Sequence, residues 1–185
     1  MIDGKTVNQR GAVAQVPNRF DATSHGVVDI EGVDEVEELD GRTRYIEVFP
    51  RTVLNRVDSP DIPFSWSLNP FQGCEHGCSY CYARPTHEYW GYSAGIDFER
   101  IILVKRSAPQ VLRKELAAKT WKAEPITLSG ATDPYQPVER KEELTRALLE
   151  VLLEHRQSVS IITKNALILR DLDILKEMSR YGSIQ

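Results

Sequence analysis

Residues 67–91 read SLNPFQGCEHGCSYCYARPTHEYWG, and this stretch decides the fold and the chemistry of the chain. It holds all three cysteines of the 185 residues, Cys74, Cys78 and Cys81, in the spacing Cys-x3-Cys-x2-Cys. An odd number of cysteines cannot pair completely in disulfides, whereas three thiols within eight residues can ligate one metal centre. The sequence therefore predicts a zinc or iron–sulfur site with reduced thiols, which is typical of an intracellular protein.

The spacing leaves two kinds of metal site open. A structural zinc ion takes four protein ligands, and His87, six residues after Cys81, could complete a Cys3His set. An iron–sulfur cluster held by three cysteines leaves one iron free to accept a substrate or cofactor. The lack of a second ligand pair favours the cluster. A zinc-stabilised binding module without catalysis is the alternative.

The cysteine run resembles the cluster loop of radical S-adenosylmethionine (SAM) enzymes, which typically carry Cys-x3-Cys-x-aromatic-Cys. Tyr80 occupies the aromatic position. The resemblance implies a [4Fe–4S] cluster bound by Cys74, Cys78 and Cys81, with SAM on the fourth iron. It also implies that a one-electron reductant, such as flavodoxin or ferredoxin, drives cleavage of SAM to methionine and a 5′-deoxyadenosyl radical that abstracts a substrate hydrogen.

Two further runs narrow the resemblance to the radical SAM branch related to spore photoproduct lyase, often described as DNA-repair-photolyase-like. They are LSGATDPYQPVE at 128–139 and ITKN at 162–165. The branch implies a lyase. Its namesake carries a further cysteine that donates a hydrogen atom, and no such cysteine occurs outside the cluster motif here. We therefore do not expect that repair reaction unless a further C-terminal part supplies the donor or a tyrosine such as Tyr135 replaces it.

Beyond residue 50, short apolar runs alternate with segments of helical periodicity. The predicted strands are 65–68, 100–105, 126–129 and 159–163, and the predicted helices are 107–119, 138–155 and 166–180. This alternation is typical of βαβ units and a parallel sheet. The predicted class is α/β, with residues 51–185 as the N-terminal portion of a partial (β/α) barrel of the radical SAM type. A full barrel has eight such units and needs about 250 residues, so we expect a truncated chain.

Three loops follow predicted strands and should converge at one end of the sheet. The resemblance places the SAM amino group against the loop after the strand at 126–129. The residues expected to contact it are Ser129, Gly130, Thr132 and Asp133. The alternative is that Asp133-Pro134 only forms a turn.

The loop at 163–165 carries Lys164, a cation that could meet a carboxylate or phosphate. The alternative is that Thr163 or Asn165 only caps the following helix. Tyr80 is expected to pack against the cluster and control solvent access. Residues after the cysteines are expected to order the loop or to shield the iron, and they are Arg84, His87, Glu88 and Tyr89.

The charge of the chain is concentrated in its first 50 residues. These hold 5 of the 23 basic and 10 of the 27 acidic residues, which leaves 18 basic and 17 acidic residues for 51–185. The run DIEGVDEVEELD at 29–40 predicts an irregular or disordered acidic leader over residues 1–50. Arg10-Gly11 and Asn18-Arg19-Phe20 resemble patterns in the leader of the same family, so part of it should fold over the body.

Composition also limits the kinds of partner that the chain is expected to have. Residues 51–185 lack the basic excess of a dedicated nucleic-acid binder, so charge does not support a DNA substrate, and the substrate stays unknown. The sequence has no apolar run of membrane-spanning length and no signal peptide. We therefore expect a cytoplasmic protein without a membrane partner.

Overall fold

The computed structural model describes residues 10–12, 14–20, 42–59, 61, 64–182 and 184. The strands in this part of the chain are β1 Arg44–Glu47, β2 Leu54–Arg56, β3 Trp66–Leu68, β4 Phe71–Gln72, β5 Ile101–Val104, β6 Ile126–Leu128 and β7 Val159–Ile161. The helices are α1 Ile96–Arg100, α2 Ala108–Leu116, α3 Glu139–Glu142, α4 Leu144–Glu154 and α5 Leu172–Arg180, with 3₁₀ helices at Arg84–Trp90 and Ala166–Asp171. The described residues include no helix long and apolar enough to cross a bilayer.

A four-stranded sheet in the order β2-β3-β6-β7 forms the centre of the molecule. Strands β3, β6 and β7 run parallel, and β2 is antiparallel to β3. Because parallel strands end at the same edge of a sheet, the loops that follow β3, β6 and β7 leave the sheet together. The prediction of parallel strands is therefore confirmed for β3, β6 and β7.

A second sheet has the order β1-β5-β4. Strand β5 pairs in parallel with β1 and antiparallel with β4, where Phe71 lies opposite Val104. The predicted strand at 100–105 is present as β5, but it belongs to this second sheet. The chain turns after β3 at Asn69-Pro70 and continues as β4, which pairs with β5. Strand β1 lies within the segment predicted as a mostly irregular leader.

The main core joins the four-stranded sheet to helices α2, α4 and α5. Its fully buried members include Leu68 and Leu128 from the strands, Leu112 from α2, Leu148 from α4 and Met178 from α5. Fully burying a side chain of this size stabilises the fold by about 1.5–3 kcal/mol. This core supplies a rigid base for the loops at the carboxyl edge of the sheet.

Two predicted helices differ in their bounds. The helix expected over 138–155 is interrupted at Glu143, which has φ 49°, and the break separates α3 from α4. The carboxylate of Glu139 spans the break: it accepts the Thr145 N–H at 2.9 Å and pairs with Arg170 at 2.7 Å. The helix expected over 166–180 begins as the 3₁₀ helix and continues as α5. The α/β class is confirmed, and closure into a partial barrel stays a prediction.

Candidate functional site

The cysteine loop, residues 73–83, follows β4. At two positions in this loop the backbone conformation and the close neighbours leave room only for glycine. Gly73 has φ 79°, and a Cβ there would lie 2.5 Å from the Ile101 carbonyl oxygen. Gly77 has φ 57°, and a Cβ there would lie 2.5 Å from Cβ of Arg10. The first cysteine is fixed by its N–H, which donates to the Phe98 carbonyl at 2.8 Å. Both glycines therefore set the path of the loop.

Arg84 holds the far side of the cysteine loop. Its guanidinium donates to the carbonyl oxygens of Cys78 at 3.0 Å and of Gly77 and Gly95 at 3.1 Å each. It also pairs with the carboxylate of Glu99, a side chain whose residue is only 2% exposed. Arg84 thus has the ordering role that the sequence predicts.

The start of the chain packs over the same region. Glu99 accepts the N–H of Gly11 at 3.2 Å and of Ala12 at 2.6 Å. Asn18 donates to the Glu88 carbonyl at 3.0 Å, and Arg19 pairs with the Glu88 carboxylate at 2.8 Å. These contacts agree with the expectation that part of the leader folds over the body. The remaining leader residues, 1–9, 13 and 21–41, lie outside the described residues.

The run at 128–139 ties the cysteine loop to α3, a role that the sequence did not indicate. Gln136 is fully buried, donates to the Gly73 carbonyl at 3.1 Å and accepts the Glu75 N–H at 3.0 Å. The Glu75 carboxylate in turn accepts the Val138 N–H at 2.8 Å. No local sequence signal indicates this bridge, because the partners of Gln136 lie 61 and 63 residues away in the chain.

The three cysteines line one cavity of about 290 Å³ at the carboxyl edge of the sheet. Loops that follow β6 and β7 complete its wall. The sequence-predicted residues on this wall, besides the cysteines, are Tyr80, Ser129, Gly130, Thr132, Asp133 and Lys164. The structure thus brings together all nine residues expected at the site, and it adds His76 and Tyr82, which the sequence analysis did not single out.

Asp133 connects the loops on the two sides of the cavity. Its carboxylate accepts hydrogen bonds from the Tyr135 N–H at 2.8 Å, the Thr163 hydroxyl at 2.6 Å and the Lys164 N–H at 3.0 Å. Nε2 of His76 lies 3.4 Å from the same carboxylate. Burial alone would raise the pKa of Asp133, but these polar neighbours outweigh it and the pKa is lowered. Asp133 therefore forms the predicted turn through its bond to the Tyr135 N–H, and it also joins the loop after β6 to the loop after β7.

Lys164 faces the cysteine loop. Its Nζ lies 2.6 Å from Sγ of Cys78, and this thiol raises the pKa of the lysine. The capping role belongs to Asn165, whose side-chain oxygen accepts the Leu167 N–H at 3.0 Å. Lys164 itself lines the cavity.

The other predicted residues differ in how they meet the cavity. Tyr80 stands at the mouth and is 84% exposed, so the described residues cover little of it. Thr132 is buried, and its hydroxyl donates to the Phe71 carbonyl at 3.4 Å. The Gly130 carbonyl accepts the Tyr82 hydroxyl at 2.7 Å. Tyr135 is fully buried and is not among the residues that line the cavity, so its position does not support the suggestion that it stands in for a hydrogen-donating cysteine.

The donor set of the cavity fits a thiolate-ligated group. All three cysteines are free thiols, and burial raises the pKa of Cys74 to about 11. His87 is fully buried between Tyr92 and Phe98, away from the cavity wall, so the geometry does not support a Cys3His site with it. Among the described residues, no group of three or more His, Cys, Asp or Glu is already arranged around a metal position. Soft thiols are the ligands that iron–sulfur clusters prefer.

Comparisons with known proteins agree with this donor set. Residues 68–184 match the Radical SAM superfamily. The chain is 38% identical over 144 residues to an uncharacterized protein of Mycobacterium tuberculosis, a match covering 77% of this chain and 42% of the relative. An uncharacterized protein of Methanocaldococcus jannaschii is 28% identical over 142 residues, covering 76% of this chain and 50% of the relative. The chain thus spans half or less of the length of these relatives, and no solved structure matches it.

Proposed function

The chain belongs to the radical SAM superfamily, and on this premise we propose that its cavity holds a [4Fe–4S] cluster and SAM. Cys74, Cys78 and Cys81 would ligate three irons and leave the fourth to SAM. When bound, the cluster and SAM supply a 5′-deoxyadenosyl radical that abstracts a hydrogen atom from the substrate. The observation that carries the proposal is the convergence of the three thiols and two strand-end loops on one cavity.

The residues of the chain would position these groups. Nζ of Lys164, beside Cys78, is placed to bind a carboxylate close to the cluster. Asp133 holds the loops after β6 and β7 together, which keeps Lys164 opposite the cysteines. Ser129, Gly130 and Thr132 would form the wall against the amino group of SAM, and Tyr80 would limit solvent access at the mouth. A preorganised wall of this kind lowers the entropy cost of binding.

The proposal extends to the whole of residues 51–185, as the N-terminal part of a partial (β/α) barrel of the spore-photoproduct-lyase-like branch. The parallel arrangement of β3, β6 and β7 supports the barrel geometry. The resemblance of 67–91, 128–139 and 162–165 supports the branch and, with it, a lyase. Flavodoxin or ferredoxin is the class of reductant proposed.

Anaerobic reconstitution tests the proposal. We expect about four irons with sulfide for each chain, visible absorbance and reductive cleavage of SAM. Cys78→Ala should lose the absorbance and the SAM cleavage. Ser79→Ala, an exposed neighbour in the same loop, should keep both and is the matched control. Stoichiometric zinc without colour would support the zinc-module alternative, and SAM cleavage that persists in Cys78→Ala would refute the assignment of the cluster.

A further inference from the structure

A second cavity of about 330 Å³ lies beside the cysteine cavity. Three residues, Tyr82, Gly130 and Ala131, line both. The Tyr82 hydroxyl donates to the Gly130 carbonyl, so this side chain bridges the cysteine loop and the loop after β6 where the two cavities meet. An occupant of the second cavity would therefore be a direct neighbour of an occupant of the first.

The second cavity is lined by a buried cation, Lys105. This residue follows β5 and is 7% exposed, and its Nζ donates to the Asn69 carbonyl at 3.0 Å. Within the described part of the chain, no carboxylate lies at ion-pair distance from Nζ, and burial lowers the pKa of the lysine to about 8. A buried ammonium group is costly unless an anion compensates for it. Lys105 thus has a charge to which the described residues offer no counter-ion, and its ammonium group has two further N–H donors.

The described residues that line the rest of the second cavity carry no opposing charge. They include neither Asp, Glu nor Arg, and their neutral polar side chains include Asn55, Gln72 and Thr86. Tyr89 and Trp90 contribute aromatic surface and are both exposed. A buried cation combined with exposed aromatic rings suits a molecule that has an acid group at one end and a planar apolar part at the other.

Lys105 is also connected to the wall of the cysteine cavity. The carbonyl oxygen of Asn69 accepts from Lys105, while the side-chain oxygen of Asn69 accepts the N–H groups of Ala131 at 3.0 Å and Thr132 at 3.3 Å. An anion held at Lys105 would therefore lie against the residue that fixes the loop after β6. Such a fixed position suits hydrogen abstraction, which requires the reacting atoms to be close.

We propose that the second cavity is the substrate site and that the substrate is a small organic anion. Its carboxylate or phosphate pairs with Nζ of Lys105, and its planar part packs on Tyr89 and Trp90. The identification of this anion as the substrate depends on the function proposed above, whereas the anion site itself depends only on the surroundings of Lys105.

Calorimetric titration of the reconstituted protein with benzoate, benzamide and phenyl phosphate tests the site. Benzoate should bind with a Kd on the order of 1 mM, as small ligands do. Neutral benzamide, of nearly the same shape, should bind at least about 10-fold more weakly because it lacks the charge. A comparison of benzoate with phenyl phosphate distinguishes a carboxylate from a phosphate preference. Equal binding of benzoate and benzamide, or no binding of either acid, would overturn the proposal.

Variants of Lys105 test which group binds the acid. Lys105→Met should weaken benzoate binding by about 10- to 100-fold, the effect of a lost charged hydrogen bond. Lys105→Arg should retain binding within a few-fold, and Lys119→Met, at an exposed position, should match the parent. Unchanged binding in Lys105→Met would refute the assignment. Should Lys105→Met fold poorly, Trp90→Ala at the exposed end of the cavity should still weaken benzoate binding several-fold, and an unchanged Kd there would count against the site.

The two proposals fail in different ways. In Cys78→Ala the cluster should be lost while benzoate still binds selectively over benzamide. If SAM is cleaved by the parent protein but no acid binds, the substrate site is wrong and the radical SAM function stands. If anion binding depends on Lys105 but no cluster forms, the anion site stands and its assignment as a substrate site falls with the proposed function.

Discussion

Replacement of Gly77 by alanine should damage the cysteine loop through both its backbone and its packing. Gly77 has φ 57°, and an alanine Cβ would lie 2.5 Å from Cβ of Arg10 and 2.9 Å from the carboxylate of Glu99. The left-handed backbone costs about 1–2 kcal/mol for a residue with a side chain. The overlap adds about 1–3 kcal/mol, since Cβ of Arg10 is not the mobile end of a side chain. We expect Gly77→Ala to lose about 2–5 kcal/mol of unfolding free energy.

Gly91→Ala is the matched control for this prediction. Gly91 has φ 80°, but a Cβ there would meet nothing within 4 Å. Its cost should therefore be the backbone part alone, about 1–2 kcal/mol. The difference between the two variants isolates the clash of the cysteine loop with Arg10 and Glu99.

Urea denaturation of both variants, with iron content measured after reconstitution, checks the prediction. Gly77→Ala should be the less stable of the two and should bind less iron, because the displaced loop carries Cys74 and Cys78. Combining it with Arg10→Gly removes one clashing atom and should restore part of the loss. Equal stability and equal iron content of Gly77→Ala and Gly91→Ala would refute the reasoning.

Two further predictions concern buried polar groups. Burial lowers the pKa of His87 to about 4 from an unfolded value near 6.5, so the unfolded chain binds the proton first and stability falls as the pH falls through this window. Between pH 7.5 and 5 the unfolding free energy of the parent, measured by urea denaturation, should fall by about 2 kcal/mol more than that of His87→Phe. An identical pH dependence of the two unfolding free energies would contradict this. Glu139→Ala should cost about 1–3 kcal/mol, because the Thr145 N–H loses its acceptor and Arg170 keeps only one of its two buried partners, Asp171. The exposed control Glu154→Ala should change stability by about 0.5 kcal/mol or less, and a loss below about 1 kcal/mol in Glu139→Ala would refute the role of the carboxylate.

Local sequence pattern predicted the strands of the parallel sheet but not the second sheet. The run at 101–104 is apolar at every position, which indicates burial on both faces and says nothing about its partners. Those partners, β1 and β4, are set by long-range pairing that periodicity does not encode. Likewise, residues 138–155 are helix-forming throughout, and this local pattern does not indicate the break at Glu143, next to which Glu139 pairs with the distant Arg170.

For the site, motif spacing located the residues that line the cavity but not the buried residues that hold the surrounding loops in place. The positions of Asp133 and Lys164 followed from strand-end loops, since parallel strands gather such loops at one edge. The cysteine loop, by contrast, follows β4, a short strand of the second sheet. Gln136, Glu99 and Lys105 were missed. Each has its polar partner in a distant segment, so nothing near them in the sequence distinguishes a buried, bonded side chain from an exposed one.

The contacts of the leader with Glu99 bear on the order in which the molecule assembles. Arg10 and Ala12 reach Glu99 across sequence separations of 89 and 87 residues. Closing a loop of that length costs about 4 kcal/mol in chain entropy, roughly 2 kcal/mol more than a ten-residue loop. We therefore expect the segment that contains Arg10 and Ala12 to dock after the sheets have formed and to detach before they unfold. Residues 10–12 would thus be synthesised before the cysteine loop but would reach their final position only after that loop has formed.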